Sequence, residues 1–278
     1  MSYKSIVVLV DRAWRAEQFE VAFALARDMD AHLIGLYAVR TPGIPSYAIA
    51  EAATVAANLQ ELRLAHSARR ELAARTAFET AARGIGHAKF EWRIAKGDAL
   101  DALCLSARYV DLVIAAQTQP GADDDGVPAE AHHSLALATG RPVLQVPYAG
   151  HFATLGRRVL IAWNASRESA RAVTDSLPLL RRAESVRVVT FNPGREHGEL
   201  PGADIALYLA RHAVKVTVAQ RNNADVSIGE LILSEAADDN ADLIVMGAYG
   251  HSRLRELVLG GATRTLLESM TVPVLMSH

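Results

Sequence analysis

The chain has 278 residues, half of them hydrophobic and 22% charged, a balance that supports apolar cores and excludes a disordered or collagen-like chain. Lys and Arg number 29 against 31 Asp and Glu, a net charge of −2, so there is no basic excess for coating nucleic acid. Cys104 is the only cysteine, which excludes an internal disulfide and a Cys-rich zinc site and fits a reducing compartment. In chain order, the apolar run Ile6 to Val10 reads as a first strand, too short for a signal-peptide core. Nothing reaches ~18 apolar residues in a row, so we expect no membrane contact and a cytoplasmic protein. His32 to Val39 follows as a second strand, and Ile49 to Arg83 as a long Ala-rich helical stretch. Ala102-Leu103-Cys104-Leu105 reads as an apolar helix face with a buried, inert thiol. Val110 to Ala116 and Pro142 to Val146 are further strands of the first half, which supplies equivalents of all five strands of the second, and Pro147 to His151 is a turn-rich linker.

The second half repeats the first. Val110-Asp111-Leu112-Val113-Ile114-Ala115-Ala116 returns as Ala241-Asp242-Leu243-Ile244-Val245-Met246-Gly247, and Pro142 as Pro273, both at an offset of 131. Ile6 to Asp11 matches Val159 to Asn164, and His32 to Val39 matches Ser185 to Asn192, at an offset of 153. The first copy therefore holds 22 more residues, between Arg40 and His87, where the helical stretch lies. In the second copy the spacing predicts strands at Val159 to Trp163, Val186 to Phe191, Val214 to Ala219, Leu243 to Met246 and Val272 to Met276. Helices are predicted over Arg167 to Leu180 behind the cap residue Ser166, over Ile228 to Ala237 and over Ala262 to Met270. β-Branched runs alternating with helical patterns imply parallel sheets with crossover helices. We expect α/β architecture: two tandem doubly wound, Rossmann-like domains, 1–149 and 150–278, each with a five-stranded parallel sheet flanked by helices.

Ligands of open parallel sheets bind beyond the carboxyl ends of the strands, where the strand order reverses. After the fourth strand of the second copy comes Gly247-Ala248-Tyr249-Gly250-His251-Ser252-Arg253, and then Gly260-Gly261 opening a helix. Glycines let the backbone approach an anion closely, and free N–H groups at a helix start favour phosphate. The pattern Gly247-x2-Gly250-x9-Gly260, set between a strand ending in Met246 and the final Val272-Pro273-Val274, resembles the universal stress protein family, and the resemblance covers both halves. It implies five-stranded parallel sheets, ATP or AMP as ligand with Mg accompanying ATP, and two copies pairing as a pseudo-dimer within one chain, or chains pairing as a homodimer. It further implies that Asn164 contacts adenine and that backbone at Phe191 and Asn192 frames the base. Met246, Gly247, Gly250, His251, Gly260 and Gly261 would hold ribose and phosphates. By position alone, following the second glycine, His251 and Arg253 are candidates to face phosphate.

Asn164 stands where the resemblance implies Asp, and Gly261 where it implies Ser or Thr, so reduced affinity is expected. An Asn oxygen still accepts from an adenine amino group, and the Gly261 N–H remains a donor. Asn164 reads equally well as an Asx turn starting the next helix, and His251 and Arg253 equally well as solvated loop residues. In the first copy the equivalents of Gly247, Gly250, Gly260 and Gly261 are Ala116, Gln119, Ala129 and Glu130, and the loop carries Asp123, Asp124 and Asp125. Three carboxylates repel phosphate, so one nucleotide per chain is expected although Asp11 keeps the adenine-side position.

Other chemistries lack their residues. No Gly-x-Gly-x-x-Gly follows either first strand, no Gly-Lys-Ser/Thr phosphate loop occurs, and no Gly-x-Ser-x-Gly elbow occurs. His132 and His133 are adjacent, so their side chains diverge on a helix, which argues for a surface position over a metal site. The leading expectation is a stress-response protein that binds an adenine nucleotide in its second half and acts as a regulator. The alternatives are a ligand-free interaction protein whose terminal strands pair between copies or chains, and a slow ATP hydrolase. The last would need a metal-binding carboxylate that the sequence does not place near the cradle.

Overall fold

The computed structural model describes residues 2–10, 14, 16–37, 53–95, 98–117, 129–193, 200–223, 225–249 and 261–278. Its strands are β1 (Ser5–Val10), β2 (His32–Tyr37), β3 (Phe90–Ile94), β4 (Leu112–Ala116) and β5 (Val143–Val146), then β6 (Arg158–Trp163), β7 (Ser185–Phe191), β8 (Val216–Arg221), β9 (Leu243–Gly247) and β10 (Val274–Ser277). They form one ten-stranded sheet in the order β3-β2-β1-β4-β5-β10-β9-β6-β7-β8. Within each half every pairing is parallel, and the halves meet where β5 and β10 run antiparallel. The expected five-stranded sheets are thus present as the two ends of one larger sheet.

The junction has the symmetry of the repeat. Leu144 faces Leu275, Val143 faces Met276 and Gln145 faces Val274. Leu144 and Leu275 are repeat equivalents, so the local two-fold axis passes between them. Both are wholly buried, which makes the terminal strands the middle of the sheet. Two apolar edges have covered each other, the protection that edge strands need.

The inner strands pack on both faces because their alternate residues go to opposite sides, whereas the edge strands β3 and β8 carry no fully buried residue. Leu243 and Val245 of β9 enter one core, with β-facing residues of helices α1 (Ala16–Met29), α2 (Ala53–Ile85), α5 (Arg167–Leu180) and α6 (Ala203–Arg211). Ile244 and Met246 enter the other, with α3 (Ala99–Ala107), α4 (Ala129–Thr139), α7 (Ile228–Asp238) and α8 (Gly261–Ser269). Both cores run across the two halves without a break, as doubly wound chains require.

Local signals explain most boundaries. Ser166 caps α5 by accepting from the Ser169 N–H at 3.1 Å, and Ser227 with Glu230 forms a capping box on α7. The extra residues of the first copy lengthen a helix: α2 has 33 residues where α6, before the corresponding strand, has nine. Among the described side chains, those of the later turns of α2 enter the core, through Phe78 and Ala82, while Leu62, Leu64 and Leu72 are exposed. Residues 49–52 of the predicted stretch lie outside the described residues. α6 has no sequence-level start signal because its cap is Gly202 in a left-handed conformation, with no side-chain bond. The third strand of the second half begins at Val216 rather than Val214: the Val214 N–H still bonds Leu209 O of α6 at 3.0 Å, after Ala213 turns at φ 62°.

The repeated aspartates lock strand starts. Asp111 accepts from the Lys4 and Ser5 N–H groups at 2.6 and 3.0 Å, and Asp242 from those of Arg157 and Arg158 at 3.1 and 2.9 Å. Cys104 corrects one expectation. It is half-buried, because at 100° per residue Leu103 faces the core while Leu105 is turned outward. Burial still pushes its thiol pKa up, with Asp101 adding to the effect.

Candidate functional site

The strand order reverses between β6 and β9 in the second half, with α5 leaving β6 on one face and α8 following β9 on the other. The carboxyl ends of β7, β6 and β9 therefore lie side by side. They bring Phe191, Asn164, Met246 and Gly247 to one edge of the sheet. Met246 is buried, Phe191 and Gly247 are half-buried, and Asn164 and Asn192 are exposed. Gly261 is the exposed first residue of α8. Gly250, His251, Arg253 and Gly260 lie outside the described residues, as do Asp11, Gln119 and the acidic segment Asp123 to Asp125.

Gly247 has a reason in packing. A Cβ there would meet the Ser169 backbone N at 2.5 Å and the Glu168 carbonyl carbon at 2.7 Å. Only glycine lets the first turn of α5 sit this close to β9. The same contact sets a carboxylate at the reversal point that sequence reasoning missed. Glu168 is only 4% exposed, and its Oε1 takes the Arg167 Nε at 2.6 Å. Burial alone would raise the Glu168 pKa, but bonds from Arg167, its own backbone N–H and Ser166 together hold it below the usual carboxylate value. The carboxylate thus occupies the positive end of α5. No sequence signal marks it, since a Glu in the first turn of a helix is commonplace.

The two asparagines are partly committed. Asn164 Oδ1 accepts from the Ser166 N–H at 3.2 Å, the Asx turn foreseen as one of its readings, and one lone pair of that oxygen remains. Asn192 has φ 45°, donates from Nδ2 to Asn223 O at 2.8 Å and accepts from the Asn223 N–H at 2.8 Å. Its side chain ties β7 to β8, leaving backbone as what this position can offer a base.

Beyond Gly247, the Ala248 N–H bonds Ser277 O at 2.8 Å. Tyr249 adopts φ 58°, packs on the core of that face and donates its hydroxyl to His133 O of α4 at 2.5 Å. Burial pushes its phenol up to about 12. At α8, a Cβ on Gly261 would meet nothing within 4 Å, and the first turn carries no acidic residue. In the first half, Ala116 and Gln117 replace Gly247 and Ala248 and are both buried. Gln117 donates to Leu267 O of α8 at 2.8 Å. Among the described residues no group of three or more His, Cys, Asp and Glu is arranged to hold a metal ion, and no helix is long and apolar enough to cross a membrane.

Residues 156–278 match the model of the Universal stress protein family. A 46-residue stretch is 46% identical to Universal stress protein Slr1230 of Synechocystis, a match that spans 16% of this chain and 16% of that relative's length. A universal stress protein from Archaeoglobus fulgidus superposes over 98% of this chain and 95% of its own, with TM-score 0.65 and 14% identity. The cytoplasmic domain of a prokaryotic cation chloride cotransporter superposes over 99% of this chain and 95% of its own, with TM-score 0.52 and 12% identity. At such identities the superpositions speak for the fold alone.

Proposed function

We propose that the chain, whose residues 156–278 match the model of the universal stress protein family, is a cytoplasmic stress-response protein of that family that binds one adenine nucleotide and acts as a nucleotide-responsive regulator. Residues 150–278 are the binding domain in this reading and 1–149 its degenerate partner. The observation that carries it is the asymmetry of two equivalent crevices. In the second half the β6–β9 reversal is followed by glycine-bearing chain that ends at an exposed helix start free of acidic side chains. In the first half the corresponding positions are the buried side chains of Ala116 and Gln117, the latter bonded across to α8.

ATP or AMP would lie along the ends of β7, β6 and β9, with adenine between Asn164 and the Phe191–Asn192 backbone. The phosphates would point toward Gly250, Gly260 and Gly261, with His251 and Arg253 flanking them and Mg accompanying ATP. The carboxylate of Glu168 already fills the start of α5, so this reading gives the phosphates to the start of α8. Isothermal titration with ATP and AMP tests it. Wild type is expected to bind one equivalent, and a Gly250→Val, Gly260→Val double variant none while keeping its circular dichroism. Undiminished binding by the folded variant would sink the site assignment.

The commitments of Asn164 and Asn192 favour a second reading, in which this fold serves as a ligand-free interaction module. That reading predicts no saturable binding of either nucleotide.

A further inference from the structure

With β5 and β10 covering each other, the strands at the two ends of the sheet are β3 and β8. An edge strand presents backbone donors and acceptors to another chain unless its side chains forbid it. On the inner side of β3 the Leu33 N–H bonds Lys89 O at 2.9 Å and the Ala95 N–H bonds Tyr37 O at 2.8 Å. Odd-numbered residues of β3 therefore turn their backbone groups to β2, and Phe90, Trp92 and Ile94 turn theirs to the outer side, where no strand pairs among the described residues.

This edge is complementary to itself. Laid antiparallel on a second β3 about a two-fold axis through Trp92, Trp92 meets its own copy, Phe90 meets the partner's Ile94 and Glu91 meets the partner's Arg93. The even-numbered residues then fall at hydrogen-bonded pairs, so the outward backbone groups of each strand bond the other. Glu91 and Arg93 fall at the non-hydrogen-bonded pairs, where side chains come closest, and opposite charges face each other twice. The two already share a face of the sheet, with Arg93 Nη2 2.5 Å from Glu91 Oε1. β8 offers no such pairing, because its one charged residue, Arg221, is held by Glu235 at 2.6 Å.

The helix layer supports the same axis. Phe78 of α2 lies over both outer strands: a Cβ on Gly35 of β2 would stand 2.9 Å from its ring, and the ring of Trp92 in β3 is 5.3 Å away. With strands about 4.8 Å apart, helices seated between β2 and β3 in two copies would run antiparallel about 10 Å apart, the spacing at which helices pack. Trp92 Nε1 donates to Glu71 Oε1 at 2.8 Å, which sets this turn of α2 beside the middle of β3. Ala74, Ala77 and Ala81 pack into the core on one flank of α2, and at 100° per residue Leu72, 63% exposed, projects from the other. Leu72 would meet its copy close to the axis.

We propose that β3 is the docking edge for a second copy of this chain, giving a symmetric dimer in which two ten-stranded sheets join through β3 and the two α2 helices close over the seam. This assembly does not depend on nucleotide binding.

Sedimentation velocity and light scattering of the full-length chain at micromolar concentrations test it, with an expected mass twice 29.9 kDa. Glu91→Arg and Arg93→Glu each set like charges opposite one another twice, and each should weaken the dimer at least about tenfold. The double exchange Glu91→Arg, Arg93→Glu should restore it. Ile94→Pro removes an outward N–H and leaves the bonds to β2 in place, so it should give monomers with unchanged circular dichroism, and it keeps the test decisive if a charge variant does not fold. A monomeric wild type, a dimer indifferent to these substitutions, or a double exchange that fails to restore the dimer would overturn the proposal.

Discussion

Replacing Gly247 by Ala adds one methyl group where the structure has no room. The new Cβ would lie 2.5 Å from the Ser169 N, 2.7 Å from the Glu168 carbonyl carbon and 2.9 Å from the Glu168 Cβ. Two of the three are backbone atoms, so no rotamer change relieves the clash and the first turn of α5 must move. That turn is held by the Ser166 cap and by the buried Glu168 and Ser169. Overpacking of this kind costs typically 1–3 kcal/mol, and rigid backbone on one side puts this variant at about 2–3 kcal/mol. At roughly 2–4 °C per kcal/mol for a chain of this size, the melting temperature should fall by roughly 4–12 °C. Gly261→Ala is the control. Its Cβ meets nothing within 4 Å, so alanine should be neutral or stabilise by up to about 1 kcal/mol. Chemical and thermal unfolding of the two variants, without ligand, separates the roles of the glycines. A Gly247→Ala protein as stable as wild type would refute the packing argument.

Two further outcomes follow from the same geometry. Leu144→Ala and Leu275→Ala remove equivalent, fully buried side chains that face each other across β5 and β10. Each should cost about 2–5 kcal/mol, and the double variant should depart from additivity by about 0.5 kcal/mol or more in urea unfolding; strict additivity would mean that the pair does not couple the halves. Glu168 has a lower pKa folded than unfolded, so its stabilisation is full above about 4.5, its ordinary value, and fades as pH falls through the lower folded value. The stability gap between wild type and Glu168→Gln should therefore be widest near neutral pH and close in acid, and a pH-independent gap in melting temperature would contradict the assignment.

Much of this was legible in the chain. The constant offset between Asp111 and Asp242, and between Pro142 and Pro273, announced two copies of one topology, and short continuous apolar runs announced strands buried on both faces. Ser166 marked a helix start because its hydroxyl caps a backbone N–H group locally. What stayed hidden depends on contacts distant in sequence. Gly247 looked like an opening for phosphate, and only the approach of α5 shows why a side chain is excluded there. Glu168 carried no signal because its burial comes from the packing of α5 on β9. The hydrogen bonds from Tyr249 to His133 O and from Gln117 to Leu267 O end on backbone carbonyls, which leave no trace in residue identity. The joining of β5 to β10 was expected only as a pairing of edges; its register needed the fold.

The measurement that tests the central claim most directly is the adenine nucleotide released per chain when purified full-length protein is denatured, with mass identification and with calorimetric titration of any empty fraction. One nucleotide per chain, bound or bindable, is the predicted result. Two per chain would contradict the loss of the first crevice, and none, with added ATP also failing to bind, would contradict nucleotide binding itself.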